Sequence, residues 1–185
     1  MSKDTKKENE KVIIFIDGNN LYHSLNKMFK DKTPDFFNFE KFINLIAGRN
    51  KIVRTHYYIG IFDSNYNLDG YASQQRFFEK LKKIKNFNLI ACRMQKVKID
   101  GKIVYQTKED DIRLTLDMVK MIDGYDTAIL VSNDGDFVPV VEFLQEKGKI
   151  VENIGIGKTP SYYLRQVCNR FRKLSKRDVL KLLGN

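Results

Sequence analysis

Cysteine is scarce in this 185-residue chain: Cys92 and Cys168 stand far apart, with no CxxC spacing and no histidines at ligand distance from them. That pattern argues against both a disulfide framework and a zinc site and leaves two reduced core thiols. Long apolar runs are missing as well. None approaches the roughly 18–20 residues that a membrane-spanning helix needs, and the charged stretch from Met1 to Lys11 has no apolar signal core behind it. The chain is therefore expected to be soluble and cytoplasmic. Neither GxGxxG nor GxxxxGK followed by Ser or Thr occurs, which argues against use of a dinucleotide or a nucleoside triphosphate. Asp17-Gly18-Asn19 also lacks the second acid of a DxD phosphatase-type nucleophile motif.

What the chain has is an excess of base, 33 Lys and Arg against 23 Asp and Glu, for a net charge of +10. Such a charge suits a polyanionic partner but does not prove one. With 42% hydrophobic residues and regular apolar runs from Val12 to Leu174, one domain with a full core is expected over residues 11–175. Residues 1–10 then read as a flexible polar tail and residues 176–185 as a basic C-terminal tail.

The acids that are present sit at telling places. Val12-Ile13-Ile14-Phe15-Ile16 runs into Asp17-Gly18-Asn19-Asn20, and Ala128-Ile129-Leu130-Val131 runs into Ser132-Asn133-Asp134-Gly135-Asp136. Short apolar runs cut off by Gly, Asn and Asp read as buried parallel strands whose carboxyl ends open into polar loops, where α/β sheets place their ligands. Three carboxylates in one crevice oppose folding unless a cation neutralises them, so the pattern suggests a metal site. Gly135 permits a turn that aims Asp134 and Asp136 at one point. Taken singly, each acid is better explained as a helix cap or an Asx-turn, an account that weakens for the three together.

Between these runs, strands alternate with helices. A helix capped by Asn20 is expected to about Phe29, another capped by Asn38, and a strand over 52–62 ending at Asp63 as a third strand-end acid. A loop over 64–72 precedes a basic helix from about Ser73 to Lys85, and a short strand covers 88–92. Residues 96–105 alternate around Asp100-Gly101, a strong hairpin signal. The hairpin lysines Lys96, Lys98 and Lys102 are read either as guards of an exposed edge or as a basic arm that touches phosphates. Helices over 108–121, 138–147 and 161–174 and strands over 125–131 and 149–156 complete a doubly wound α/β pattern. In the last helix Leu164, Val167, Cys168 and Phe171 fall at core spacing.

The helix before the second acidic cluster opens with Glu109-Asp110-Asp111. Asp110 and Asp117 share a face, while Asp111 lies about 100° round. An acid in a first helical turn is favoured by the helix dipole without any function, but Asp117 lies among apolar neighbours and should point at the crevice or at a partner. Oxygen ligands without His or Cys select Mg2+ or Mn2+, and phosphodiester hydrolysis is the natural chemistry of such ions. Tyr57, Tyr58, Tyr66 and Tyr71 are read as base-stacking candidates or as residues that pack and line loops.

VIIFIDGNN with Leu21-Tyr22, TAILVSNDGDFV over Thr127 to Val138, and Gly148-Lys149-Ile150-Val151-Glu152 together closely resemble the NYN domain of the LabA-like branch in the PIN-like nuclease superfamily. The likeness covers about Lys11 to Leu174. It implies a PIN-like three-layer α/β/α sandwich with a central, mostly parallel sheet, and a Mg2+- or Mn2+-dependent ribonuclease acting on RNA, single-stranded by expectation, to leave 5′-phosphate and 3′-hydroxyl ends. By position, Asp17, Asp111, Asp134 and Asp136 match the family's catalytic and metal-binding acids, and Asp117 matches a recurrent acid further along the helix. Glu109-Asp110 replaces the family's usual Gly-Val, which leaves open whether Asp110 or Asp111 is the better ligand. Asn19, Asn20, Ser132 and Asn133 would orient carboxylates and water, and Lys108 is either a phosphate contact or a solvated lysine. A binding or regulatory module of the same fold that does not cleave RNA is the rival reading. The oligomeric state, a homodimer included, stays open.

Overall fold

A computed structural model describes residues 9–29, 37–62, 64, 68–99, 101–107, 109–157 and 160–183. The chain order is β1 (Lys11–Asp17), α1 (Gly18–Phe29), α2 (Phe39–Ala47), β2 (Lys51–Ile61), α3 (Leu68–Leu81), β3 (Phe87–Ile99), β4 (Lys102–Thr107) and α4 (Asp110–Lys120), then β5 (Thr127–Val131), α5 (Val138–Glu146), β6 (Ile150–Ile156), α6 (Tyr162–Val167), β7 (Arg170–Leu174) and α7 (Lys176–Leu180). The strands form one sheet in the order β4-β3-β2-β1-β5-β6-β7. All neighbours are parallel except β3 and β4.

Because β1 is central, every residue from Val12 to Asp17 is buried, which is why it reads as an unbroken apolar run rather than an alternating one. Its alternate residues serve two cores. Ile14 and Ile16 face α1, α2 and α3 together with Val179 of α7; Ile13 and Phe15 face Leu114 and Met118 of α4, Val141 and Leu144 of α5 and Leu164 of α6. The result is a three-layer α/β/α sandwich. The chain winds from β1 to β2 in one direction and continues from β5 in the other, so the carboxyl ends of β1 and β5 mark the switch point where such folds bind ligands.

Several expectations need correction. The helix expected over 161–174 stops at Val167: Cys168 is extended (φ −64°, ψ 142°), and residues 170–174 pair with β6. The Asn169 carboxamide oxygen fixes this break by accepting from the Val151 N–H (2.8 Å) and the Gln145 amide (3.0 Å). The segment read as a basic tail contains α7, which opens with a capping box between Ser175 and Asp178. It buries Val179 and Leu182, and the Leu182 carbonyl accepts from the Asn38 N–H at 2.9 Å. At the other end, residues 1–8 lie outside the described residues, but Glu10 is buried and accepts from the Thr127 hydroxyl at 2.7 Å and from Arg170. Helix α3 begins at Leu68, inside the expected loop, and β3 runs without interruption from Phe87 into the hairpin. Asp63, Tyr66 and Lys108 lie outside the described residues.

Candidate functional site

Asp17 ends β1 with only 4% of its surface exposed. Its Oδ1 accepts from the Asn20 backbone N–H and its Oδ2 from the Ser132 hydroxyl, both at 2.9 Å. The helix therefore starts directly at Gly18, and Asp17, not Asn20, supplies the cap. Only glycine fits after it, since a Cβ on Gly18 would collide with the Tyr58 carbonyl and the Tyr57 ring. Asn20 instead reaches across to the β5 loop, where its Oδ1 accepts from the Asn133 N–H at 3.0 Å. Asn133 in turn bridges to Ser24 (3.0 Å) and to both backbone groups of Ile156 (2.7 and 3.0 Å). These two asparagines lock α1 to the ends of β5 and β6.

Ser132 joins the two strand ends, because its hydroxyl also accepts from the Asp134 N–H at 3.0 Å. Behind it, the buried Asn153 side chain donates to the carbonyls of Leu130 (3.1 Å) and Ser132 (2.9 Å). Sequence reasoning missed Asn153; the available signal was a lone asparagine inside the apolar strand β6.

The helix-borne acids close the site. The Asn19 side chain donates to Asp110 Oδ2 (2.6 Å) and to the Thr107 hydroxyl (2.9 Å), which pins the first turn of α4 over β1. Carboxylate oxygens of Asp17, Asp110 and Asp111 then lie within 4.8 Å of one another, the first two buried and the third exposed. Asp110 and Asp111 thus both reach the cluster. Burial, followed by the charges of Asp111 and Asp110, pushes the Asp17 carboxyl up to about 7 against two hydrogen bonds that lower it. Burial pushes Asp111 up to about 6, with Asp110, Asp134 and Asp136 adding to the rise.

Asp134 and Asp136 stand beside this triad rather than within it. Asp134 Oδ1 caps the 3-10 turn Gly135–Phe137 by accepting from the Asp136 N–H at 2.9 Å. Their charges nonetheless reach Asp111. Asp117, seven residues down α4 from Asp110, takes a partner outside the triad: its Oδ2 accepts from the Tyr58 hydroxyl at 2.9 Å. Tyr57 and Tyr58 are 2% and 0% exposed and cannot stack on a base.

Residues 11–175 match the model of the NYN domain. The chain belongs to the NYN domain family. This NYN domain is 26% identical over 170 residues to the low amplitude and bright protein LabA of Synechococcus elongatus, covering 89% of the chain and 84% of LabA. It shares its fold with a crystal structure of VPA0982, a protein of unknown function from Vibrio parahaemolyticus, with a TM-score of 0.69 at 24% identity, over 94% of this chain and 96% of that one. Among the described residues no helix is long and apolar enough to cross a membrane.

The donor set of the NYN domain fits a hard divalent cation. It offers only carboxylate oxygens, and the ion pairs among the described residues leave Asp17, Asp110 and Asp111 without a cationic partner. The hairpin lysines lie nearby in the topology. Pairing of β2 with β3 ends at Ile61 and Arg93, so residues 94–99 pair with β4 alone and continue past the carboxyl edge of the sheet. Lys96 and Lys98 are exposed on this arm, and Lys102 lies on its returning strand.

Beneath the site the NYN domain buries His56 between the rings of Phe15 and Tyr58. Burial lowers its imidazole to about 4, although Asp117 pulls the other way. A folded value below the ordinary 6.5 means that the unfolded chain binds the extra proton first, so this contribution is present above pH 6.5 and is lost as pH falls towards 4. The Tm advantage of wild type over His56→Phe, measured by thermal melts without metal, should shrink between pH 7 and pH 4.5. A constant difference would remove His56 as a source of acid sensitivity.

Proposed function

We propose that this NYN domain is a metal-dependent ribonuclease that hydrolyses RNA phosphodiester bonds, with Asp17, Asp110 and Asp111 holding Mg2+ or Mn2+ and Asp134 and Asp136 extending the acidic wall. The observation that carries the reading is the convergence of three carboxylates at the switch point, two of them buried, in a protein with a net charge of +10. When bound, a divalent ion supplies Lewis-acid stabilisation of charge on the phosphoryl oxygens and acidifies water. The chain's own groups fix the geometry. Ser132 and the Asn20 N–H hold both oxygens of Asp17, and Asn19 holds Asp110 against Thr107. Basic groups, with Lys96, Lys98, Lys102 and Lys108 as candidates, gather the polyanion, and affinity should fall steeply with salt.

The test is a labelled single-stranded RNA incubated with Mg2+ or Mn2+ and with wild type, Asp17→Asn, Asp110→Asn or Asp134→Asn. Loss of about 100-fold or more is expected for the first two variants, and EDTA should abolish cleavage by wild type. Products should carry 5′-phosphates. Equal residual activity in all four proteins would identify a contaminant and sink the proposal. Tight, salt-sensitive binding without cleavage would instead support the non-cleaving RNA-binding module.

A further inference from the structure

Tyr162 and Tyr163 are adjacent at the start of α6, and 69% and 67% of their surfaces are exposed, more than any other Tyr or Phe among the described residues. Their rings meet edge to face, with centroids 5.7 Å apart and planes at 79°. Their position is built rather than incidental. Leu164 is fully buried beneath them, Ser161 caps the helix by accepting from the Leu164 N–H at 3.3 Å, and Gln145 holds the Val167 carbonyl at 2.8 Å.

This turn abuts the Asp134–Asp136 loop at the side of the acidic site. A Cβ placed on Gly135 would lie 3.5 Å from Tyr163 Cδ2 and 3.4 Å from Ser161 Oγ. The edge of the Tyr163 ring thus lies within van der Waals reach of the side-chain position between Asp134 and Asp136. Arg165, exposed on the same short helix three residues after Tyr162, holds its guanidinium 5.9 Å from the Phe171 ring centre, so the element that carries the tyrosines also carries a positive charge. Exposed aromatic faces bordering a cation site, with an arginine alongside, match the two parts of a nucleotide: a flat uncharged base and an anionic phosphate. In a duplex the base faces are already stacked on each other. Only an unpaired nucleotide can offer one.

We propose that Tyr162 and Tyr163 form a stacking platform for an unpaired nucleobase, holding single-stranded RNA with its backbone at the carboxylate site. The platform rests on the ribonuclease reading for its substrate class but not for its chemistry, so binding and cleavage test them separately. The probe is a short single-stranded RNA carrying 2-aminopurine, whose fluorescence is quenched on stacking and is not obscured here, since the chain has no tryptophan. Wild type is compared with the double variants Tyr162→Ala/Tyr163→Ala and Tyr162→Phe/Tyr163→Phe, alongside the same sequence as a duplex. Wild type and the Phe pair should quench the probe. The Ala pair should not, and should bind single strands about 10-fold or more weakly while duplex binding is unchanged. Equal binding and quenching by the Ala pair, a duplex bound as tightly as the single strand, or no binding by wild type would each overturn the platform. Quenching without any cleavage would uphold it and count against the ribonuclease reading alone.

Discussion

Asp17→Asn should make the metal-free protein more resistant to heat while ending its response to divalent ions. Asp17 is buried, and its carboxyl is raised from 3.8 to about 7. A folded value above the unfolded one means that this group's stabilising contribution is complete below about pH 3.8 and is lost as pH rises through 7. By pH 8 the ionised carboxylate opposes folding by on the order of 4 kcal/mol, an upper bound that a bound cation offsets. Asparagine keeps an oxygen for the Asn20 N–H, and its amide can donate to the Ser132 hydroxyl and to Asp110 or Asp111. At pH 8 without metal, the variant should therefore melt roughly 5 °C or more above wild type, with the gap closing as pH approaches 4. Added Mn2+ should raise the Tm of wild type and leave the variant where it was. A variant less stable than wild type at pH 8 would show that the buried charge does not oppose folding.

The second large effect lies at the far end of the sheet. Arg172 of β7 forms an ion pair with Glu152 of β6 and donates to the Ile46 carbonyl at the end of α2. Glu152 is 2% exposed; its Oε1 takes the Arg172 guanidinium, and its Oε2 has no hydrogen-bond partner among the described residues. Arg172→Met removes the cationic partner of a buried carboxylate, and breaking such a pair from one side typically destabilises by about 3–5 kcal/mol. Urea denaturation should show that loss, and Arg172→Met/Glu152→Leu should recover most of it, because a buried pair replaced by apolar groups is often near neutral. A single variant within about 1 kcal/mol of wild type would mean that water reaches Glu152 and the pair is weak.

The same strand shows where sequence reasoning runs out. β1 and β5 are legible because a parallel strand buried on both faces must be apolar along its whole length, and their terminal acids mark the loops that follow. β7 carries Arg-Phe-Arg-Lys-Leu, partly exposed at the sheet edge, and Phe171 happens to continue the helical spacing of Leu164 and Cys168. What stops the helix is the Asn169 side chain, a tertiary contact that periodicity does not register. The site divides in the same way. The two apolar runs point to Asp17, Asp134 and Asp136 as neighbours, and the resemblance to the family adds Asp111 at the start of α4. That Asp110 and Asp111 meet Asp17 more closely than Asp134 or Asp136 do depends on Asn19 gripping Thr107 and Asp110. The destination of Asp117 at Tyr58 and the exposure of Tyr162 and Tyr163 likewise follow from packing across distant segments.

The position of β1 between β2 and β5 also sets a schedule for synthesis. β2 emerges soon after β1 and can cover one of its edges, but the other edge has no partner until Thr127–Val131 has been made. At about 5–20 residues per second the run Val12–Ile16 waits for several seconds with one row of backbone groups open and a strongly apolar sequence, the condition in which strands pair with the wrong chain. The carboxylate crevice therefore comes into being only once most of the chain is available, and a chain released early would carry the hazard of its central strand without the site that strand exists to build.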